Sequence, residues 1–211
     1  IRQWQLQRAG RPAVSADPQK ILIIRLSAIG DIVMAAPVAR ALKQAYPNAE
    51  IHWLAQPECL SLIADEPCVD KTIPWPRKQW GELWKKKQFV NYFKTVGQFK
   101  RMLRSENYDL AVDLQGLLKS GLLAQLSGAK KKLGLGSREG SQWFMDEVIP
   151  RNLGDQDLIG SEYRTMIETI SGKKDYTLKL AVNDQNDRKA EVVLEQHGVK
   201  KKFIALCPFT T

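Results

Sequence analysis

The chain has 211 residues, of which 44% are hydrophobic and 26% charged, with a formal net charge of +9 and three cysteines. The composition is that of a folded domain rather than a disordered chain, and the apolar runs fall far short of the roughly 18 residues that a membrane span needs. The cysteines show no metal-ligand or disulfide-framework spacing, and the positive charge indicates an anionic partner: nucleic acid, a phospholipid surface or a phosphorylated substrate.

Residues 1–19 mix polar and charged side chains without the apolar core of a secretory signal, so we expect a flexible leader on a cytoplasmic protein. Lys20–Leu26 reads as a strand, Ser27–Asp31 as a tight turn, and the next residues as a helix to about Tyr46. Glu50–Ala55 is the second strand. This βαβ order predicts a parallel sheet with right-handed crossovers. We expect Pro37 to kink the helix or delay its start.

Further strands are predicted at 71–74, 110–114 and 132–135, and helices at 88–105, 119–126, 163–171 and 187–196. The fold class is therefore α/β, with a Rossmann-like parallel sheet in residues 20–175. Residues 176–211 are predicted to hold a linker helix and, at Lys202–Cys207, the first strand of a second domain. The chain lacks an initiator Met and stops just after this strand, so we expect it to be a piece of a longer protein.

The turn after the first strand is the most informative segment, because open parallel sheets bind ligands beyond the carboxyl ends of their strands. There Asp31 could act as a base on a hydroxyl group, while Gly30 gives room for a sharp turn and Ser27 offers a donor. Asp also caps helices frequently, and spacing alone gives capping and catalysis about even weight, so both roles stay open. A single glycine and a carboxylate argue against a dinucleotide cradle.

Two segments, Ile21–Pro37 and Asp113–Ser120, resemble glycosyltransferase family 9, the lipopolysaccharide heptosyltransferases. The resemblance implies a two-domain GT-B enzyme whose N-terminal domain binds the growing core oligosaccharide and whose C-terminal domain binds ADP-heptose. It makes Asp31 the general base and brings Thr210 and Thr211 close to the donor phosphates. We expect neither a cofactor nor a metal in this half.

The remaining candidate acceptor-binding residues come from three places. A stretch from Trp75 to Lys87 interleaves cations with aromatic rings, which suits a phosphorylated glycolipid or a nucleic acid, although a solvated helix face gives the same pattern. Gln115, Lys119 and Ser120 enter a helix after a strand, and an Arg-Glu pair in a loop resembles one in the family, except that Gly140 replaces the usual Pro. The candidates are Arg77, Lys78, Trp80, Gln115, Lys119, Ser120 and Arg138.

The sequence thus predicts inverting transfer of heptose from ADP-heptose to the inner core of lipopolysaccharide, in contact with the cytoplasmic face of the inner membrane. This chain alone is expected to be inactive. A basic nucleic-acid-binding module is the rival from another class, but no recognisable binding motif supports it. A family member that uses another nucleotide sugar is the second alternative. His52 and His197 show no partner spacing that would make them catalytic.

Overall fold

A computed structural model describes residues 17–137, 139–151, 160–172, 176–199 and 202–204. The chain divides into two compact units, one ending at Leu180 and the other beginning at Ala181. The first unit holds strands β1 (Lys20–Ile24), β2 (Glu50–Ala55), β3 (Lys71–Pro74), β4 (Leu110–Asp113), β5 (Lys131–Leu135) and β6 (Glu147–Ile149), helices α1 (Ile29–Ala45), α2 (Arg77–Lys85), α3 (Phe89–Ser105), α4 (Leu118–Ser127) and α5 (Ser161–Ser171), and 3₁₀ helices at Pro57–Leu62 and Ser141–Phe144. The second unit holds α6 (Asp184–Gln196).

The six strands form one parallel sheet in the order β3-β2-β1-β4-β5-β6. In the centre, Ile23 of β1 lies beside Trp53 of β2 and Val112 of β4. The strand order changes direction between β1 and β4, and such a point opens a crevice beyond the carboxyl ends of the two strands. The sheet therefore confirms the predicted Rossmann-like α/β fold and marks where a ligand would bind.

Alternate residues of β1 enter two separate apolar layers. Ile21 and Ile23 pack with α1 and α5, whereas Leu22 and Ile24 pack with α3 and α4. All four side chains are fully buried, which explains the unbroken apolar run in the sequence: a parallel strand covered on both faces needs no polar alternation. Among the described residues, no helix combines the length and apolarity of a membrane span.

Most predicted elements agree with the structure within three residues at each end. The expected late start of the first helix is wrong, because α1 begins at Ile29 and runs through Pro37, whose neighbours are buried against the sheet. Helix α2 and strand β6 were not predicted. Of the predicted strand Lys202–Cys207, only residues 202–204 are described, and they lie in no strand. The leader 1–16 lies outside the described residues, and the domain division remains a prediction.

A network of charged and polar side chains lies at the opposite edge of the sheet, where the strands begin. The buried ring of His52 lies between the Tyr108 hydroxyl, 2.8 Å from Nδ1, and the Glu50 carboxylate, 2.7 Å from Nε2. Lys71 and Lys20 donate to the two oxygens of Glu106 at 2.5 and 3.0 Å. The hydrogen bond from Lys71 and then that from Lys20 lower the pKa of Glu106 from 4.5 to about 2, although burial opposes the shift.

We predict that Glu106→Gln lowers the free energy of unfolding by about 1–2 kcal/mol near pH 7, a value discounted for partial solvent exposure. Since the folded-state pKa of Glu106 is depressed, its contribution is complete above the unfolded value of 4.5 and disappears as the pH falls towards about 2. Urea unfolding of wild type and variant across this range measures the difference. Glu82→Gln, which alters an exposed carboxylate of α2, is the neutral control. A Glu106→Gln deficit that is the same at about pH 7 and pH 2.5 would contradict the assignment.

Candidate active site

An open cleft of about 770 Å³ lies beyond the carboxyl ends of β1, β4, β5 and β6. Most of its lining comes from residues that directly follow these strands, and α1 and α5 each contribute one carboxylate. The lining residues are Arg25, Asp31, Gln115, Gly116, Leu117, Gly136, Ser137, Glu139, Arg151 and Glu162. The cleft therefore occupies the position that the strand order marks for a ligand.

Asp31 is the third residue of α1, and both of its contacts use the same oxygen. Oδ2 accepts a hydrogen bond of 3.2 Å from the backbone N–H of Ala28 and forms an ion pair with the guanidinium of Arg25. Within the described ranges, Oδ1 accepts no hydrogen bond, and the side chain is 54% exposed. The capping role is thus real, but it leaves one carboxylate oxygen directed to solvent in the cleft.

Arg25, which pairs with Asp31, is almost fully buried. Its guanidinium donates to the carbonyl oxygen of Leu114 at 3.1 Å and lies 5.9 Å from the centre of the Tyr163 ring. One cation therefore connects the ends of β1 and β4 with helices α1 and α5. Arg25 was not among the site residues predicted from the sequence. The signal that could have revealed it is a charged residue directly after the apolar run of a buried strand.

The turn after β4 is built on the buried carboxylate of Asp113. The backbone N–H groups of Gln115 and Gly116 donate to Oδ1 at 2.9 and 3.1 Å, and the Ser120 hydroxyl donates to Oδ2 at 2.8 Å. Burial raises the pKa of Asp113, and these three hydrogen bonds oppose the rise. Ser120 is itself completely buried, so we reassign it from an acceptor contact to a residue that positions this turn.

Gln115 and Arg151 join neighbouring strand ends across the cleft. The Gln115 side-chain oxygen accepts the backbone N–H of Leu26 at 2.8 Å, which orients this buried amide at the edge of the cleft. Arg151 donates to the backbone oxygens of Gly136 and Gln115 and pairs with Glu162 at 2.8 Å. Arg151 was missed because it follows β6, a strand of three residues that is too short to recognise from periodicity.

Lys119 follows the cleft-lining residue Leu117 by two positions, and two further cations, Arg25 and Arg77, act on its charge. Burial lowers the pKa of Lys119, and the charges of Arg77 and Arg25 lower it further, while Glu139 acts in the opposite direction. These interactions require that Arg77, although it belongs to α2, lies close to Lys119 of α4. The structure thus brings two of the predicted acceptor-binding residues together, and mutual repulsion among cations is relieved when an anion binds.

Lys78 and Trp80 have other surroundings. Lys78 is exposed and pairs with Glu58. The Trp80 ring lies edge-on to Trp75, Tyr92 and Phe99, with ring centres 5.5–6.4 Å apart. Trp80 is half-buried in this aromatic group, which gives it a role in the packing of α2, and its contact with an acceptor stays a prediction.

Five further candidates remain. The expectation that Gly30 permits a sharp turn is wrong: it is the second residue of α1, it has no positive φ, and a Cβ there would meet nothing within 4 Å. Ser27 lies two residues before α1, is half-buried and stays a candidate. Arg138, Thr210 and Thr211 lie outside the described residues.

The sequence profile of glycosyltransferase family 9 (heptosyltransferase) matches residues 96–211, more than half of the chain. The chain belongs to glycosyltransferase family 9. Relatives in this family include lipopolysaccharide heptosyltransferase 1 of Campylobacter coli, 34% identical over 51% of this chain and 28% of that protein. Lipopolysaccharide heptosyltransferase 3 of Escherichia coli is 28% identical over 85% of this chain and 51% of that protein. The chain thus spans about half the length, or less, of these curated relatives.

Solved structures of the family share the fold. A family 9 glycosyltransferase from Veillonella parvula superimposes with a TM-score of 0.72 at 16% identity, over 88% of this chain and 52% of that one. E. coli heptosyltransferase WaaC with ADP-2-deoxy-2-fluoro heptose gives a TM-score of 0.62 at 22% identity, over 78% and 51% of the two chains. The prediction of one Rossmann-like half of a GT-B glycosyltransferase is confirmed.

Gly116, which lines the cleft, and Gly30, in the first turn of α1, should respond differently to alanine. Gly116 has a φ of +64°, and a Cβ there would lie 3.0 and 3.1 Å from the carbonyl oxygens of Leu135 and Gly136. We predict that Gly116→Ala lowers the free energy of unfolding by about 1–3 kcal/mol, whereas Gly30→Ala is neutral or stabilising by up to about 1 kcal/mol. Chemical denaturation of both variants measures this, and equal destabilisation would show that the two backbone positions are not distinct.

Proposed function

We propose that this chain is the acceptor-side half of an inverting heptosyltransferase that moves heptose from ADP-heptose to the inner core of lipopolysaccharide. In this reaction Asp31 is the general base. Family membership and the curated relatives support the class of reaction. The observation that carries the proposal for this half is the geometry of Asp31: one oxygen is anchored, and the other faces an open cleft at the switch point of the sheet.

An anchored carboxylate with one unoccupied oxygen suits a general base. The bonds to Ala28 and Arg25 fix the plane of the carboxylate through Oδ2, so Oδ1 can accept a hydroxyl proton without losing its orientation. Base and hydroxyl must lie within about 2.6–3.2 Å of each other, and the exposed side chain of Asp31 leaves space for such an approach.

The proposed step forms a bond between the acceptor hydroxyl oxygen and the anomeric carbon of the donor. The bond from that carbon to the ADP oxygen breaks on the opposite face, which inverts the configuration. The hydroxyl proton passes to Asp31, and ADP leaves with its electron pair. Charge develops on the departing diphosphate, so groups of the donor-binding side must stabilise it, and Thr210 and Thr211 remain candidates there.

The cations at the cleft mouth support an anionic acceptor. Arg77 and Lys119 bring two positive charges close to the same opening, and the lowered pKa of Lys119 reflects their repulsion together with burial. A phosphate or carboxylate of the lipopolysaccharide core would compensate both charges. The donor assignment rests on relatives: E. coli WaaC has been solved with ADP and with ADP-2-deoxy-2-fluoro heptose.

We predict that Asp31→Asn, measured in the complete two-domain enzyme that carries this chain, lowers kcat by about 10²-fold or more. Asn keeps an oxygen for the Ala28 N–H, so capping survives, while proton acceptance and the charge that pairs with the buried Arg25 are both lost. Thermal unfolding of the variant therefore accompanies the kinetics, so that a loss of stability is separated from a loss of turnover. The measurement is ADP release with a truncated lipopolysaccharide acceptor.

Asp70→Asn is the matched control, because the Asp70 carboxylate also accepts a backbone N–H, that of Ile51 at 2.8 Å, and also pairs with a cation, Lys43. It lies where β2 begins, away from the cleft, and should leave kcat within about twofold. Wild-type turnover in Asp31→Asn, or an equal loss in both variants, would rule out the base assignment.

We also predict that Lys119→Gln raises the KM for the acceptor about tenfold and leaves the KM for ADP-heptose within about twofold, because it removes one of the charges at the cleft mouth. Lys130→Gln, which removes an exposed lysine paired with Asp109, is the control and should alter neither value. Steady-state kinetics with each substrate varied in turn gives the two constants. A larger effect on the donor than on the acceptor would separate Lys119 from the acceptor site.

A further inference from the structure

The hairpin formed by α2 and α3 is packed at one end and bare at the other. Its base is held by Trp80, which contacts the core, and by the buried Phe99 and Leu103. At the other end, which we call the hairpin tip (residues 84–94), the apolar side chains are open to solvent: Trp84 is 55% exposed, Phe89 45%, Val90 83% and Phe93 65%.

The exposed side chains of the hairpin tip form one continuous surface. The Trp84 ring lies 5.2 Å from that of Phe89 and 5.3 Å from that of Tyr92, and the rings of Tyr92 and Phe93 are 5.3 Å apart. Val90 lies in the first turn of α3 between these aromatic residues. Scattered apolar residues are ordinary on a protein surface, but a joined aromatic cluster of this kind marks a contact site.

The hairpin tip is also strongly basic. Residues 84–94 contain four Lys and no Asp or Glu. Lys85, Lys86, Lys87 and Lys94 are exposed, and within the described ranges none of them forms an ion pair. The other lysine run, Lys130–Lys132, differs in this respect: each of its members pairs with a carboxylate.

We propose that the hairpin tip is a docking surface for a bilayer that contains anionic lipid. Aromatic rings flanked by lysines match the boundary between acyl chains and head groups, where Trp and Phe enter the apolar region and lysines meet anionic head groups. Protein interfaces, in contrast, are depleted in lysine. A nucleic acid would match the cations and could stack on the aromatic rings, but it offers no apolar surface for Val90, which is 83% exposed. The inference does not depend on the proposed sugar transfer.

Vesicle flotation of the 211-residue chain tests this directly. The chain should float with phosphatidylcholine vesicles that contain about 30 mol% phosphatidylglycerol, bind pure phosphatidylcholine at least about tenfold more weakly, and lose most binding at about 0.5 M salt. Val90→Asp combined with Phe93→Asp removes apolar contact from exposed positions and should weaken binding at least about tenfold.

The charge contribution has a matched control within the chain. Changing Lys85, Lys86 and Lys87 together to Gln should reduce binding to the anionic vesicles at least about tenfold. The same change at Lys130, Lys131 and Lys132 removes three lysines that already have partners and should reduce binding less than about threefold. Trp143→Ala, at an 81% exposed tryptophan of another element, is the control for the apolar residues. Thermal unfolding checks that each variant is folded.

Several results would overturn the proposal. The chain could bind anionic and neutral vesicles equally well, the two lysine-run variants could lose the same amount of binding, or the double Asp variant could bind as tightly as the wild type; each of these results contradicts it. Binding of a random oligonucleotide that is tighter than vesicle binding and depends on the same lysines would assign the surface to nucleic acid instead. Self-association in sedimentation that the double Asp variant abolishes would assign it to a second copy of the chain.

Discussion

The burial of one guanidinium at the centre of the sheet organises the cleft. A buried cation is stable only if its charge and its N–H groups find partners, and losing such a partner typically costs about 3–5 kcal/mol. Arg25 meets most of this demand through its two terminal nitrogens, which contact the Leu114 carbonyl and the Asp31 carboxylate, and its guanidinium also lies near the Tyr163 ring, although its Nε has no hydrogen-bond partner among the described residues. Folding the core therefore orients the side chain proposed as the base, so its position needs no ligand.

The two ends of the parallel strands differ in how many of their polar side chains already have partners. Where the strands begin, His52, Glu106 and their lysine partners satisfy one another and leave little capacity for a ligand. Where the strands end, the side chains leave open groups: one oxygen of Asp31 and the cations Arg77 and Lys119. This asymmetry follows from parallel strands, which place all their starts on one edge and all their ends on the other.

The sequence predicted the sheet and the position of Asp31, whose role stays a proposal, because both depend on local patterns: buried parallel strands give unbroken apolar runs, and a carboxylate after the first strand must lie at the carboxyl edge. Other roles depend on contacts between distant segments. Whether Ser120 faces a ligand or Asp113, and whether Trp80 presents an open ring, is decided by packing partners that spacing does not reveal. Arg151 was invisible because a strand of three residues carries no periodicity.

The length of helix α2 sets the distance between Arg77 and the apolar residue Trp84 of the hairpin tip. Arg77 lies at its first residue and Trp84 near its last, and a rise of about 1.5 Å per residue separates them by roughly 10 Å along the axis. Because the packed base of the hairpin fixes this helix to the sheet, the separation is a property of the fold rather than of the ligand. Under the two proposals above, an acceptor whose lipid chains lie near Trp84 would contact Arg77 through groups up to roughly 10 Å from those chains, so the length of α2 would limit which part of the acceptor meets this cation.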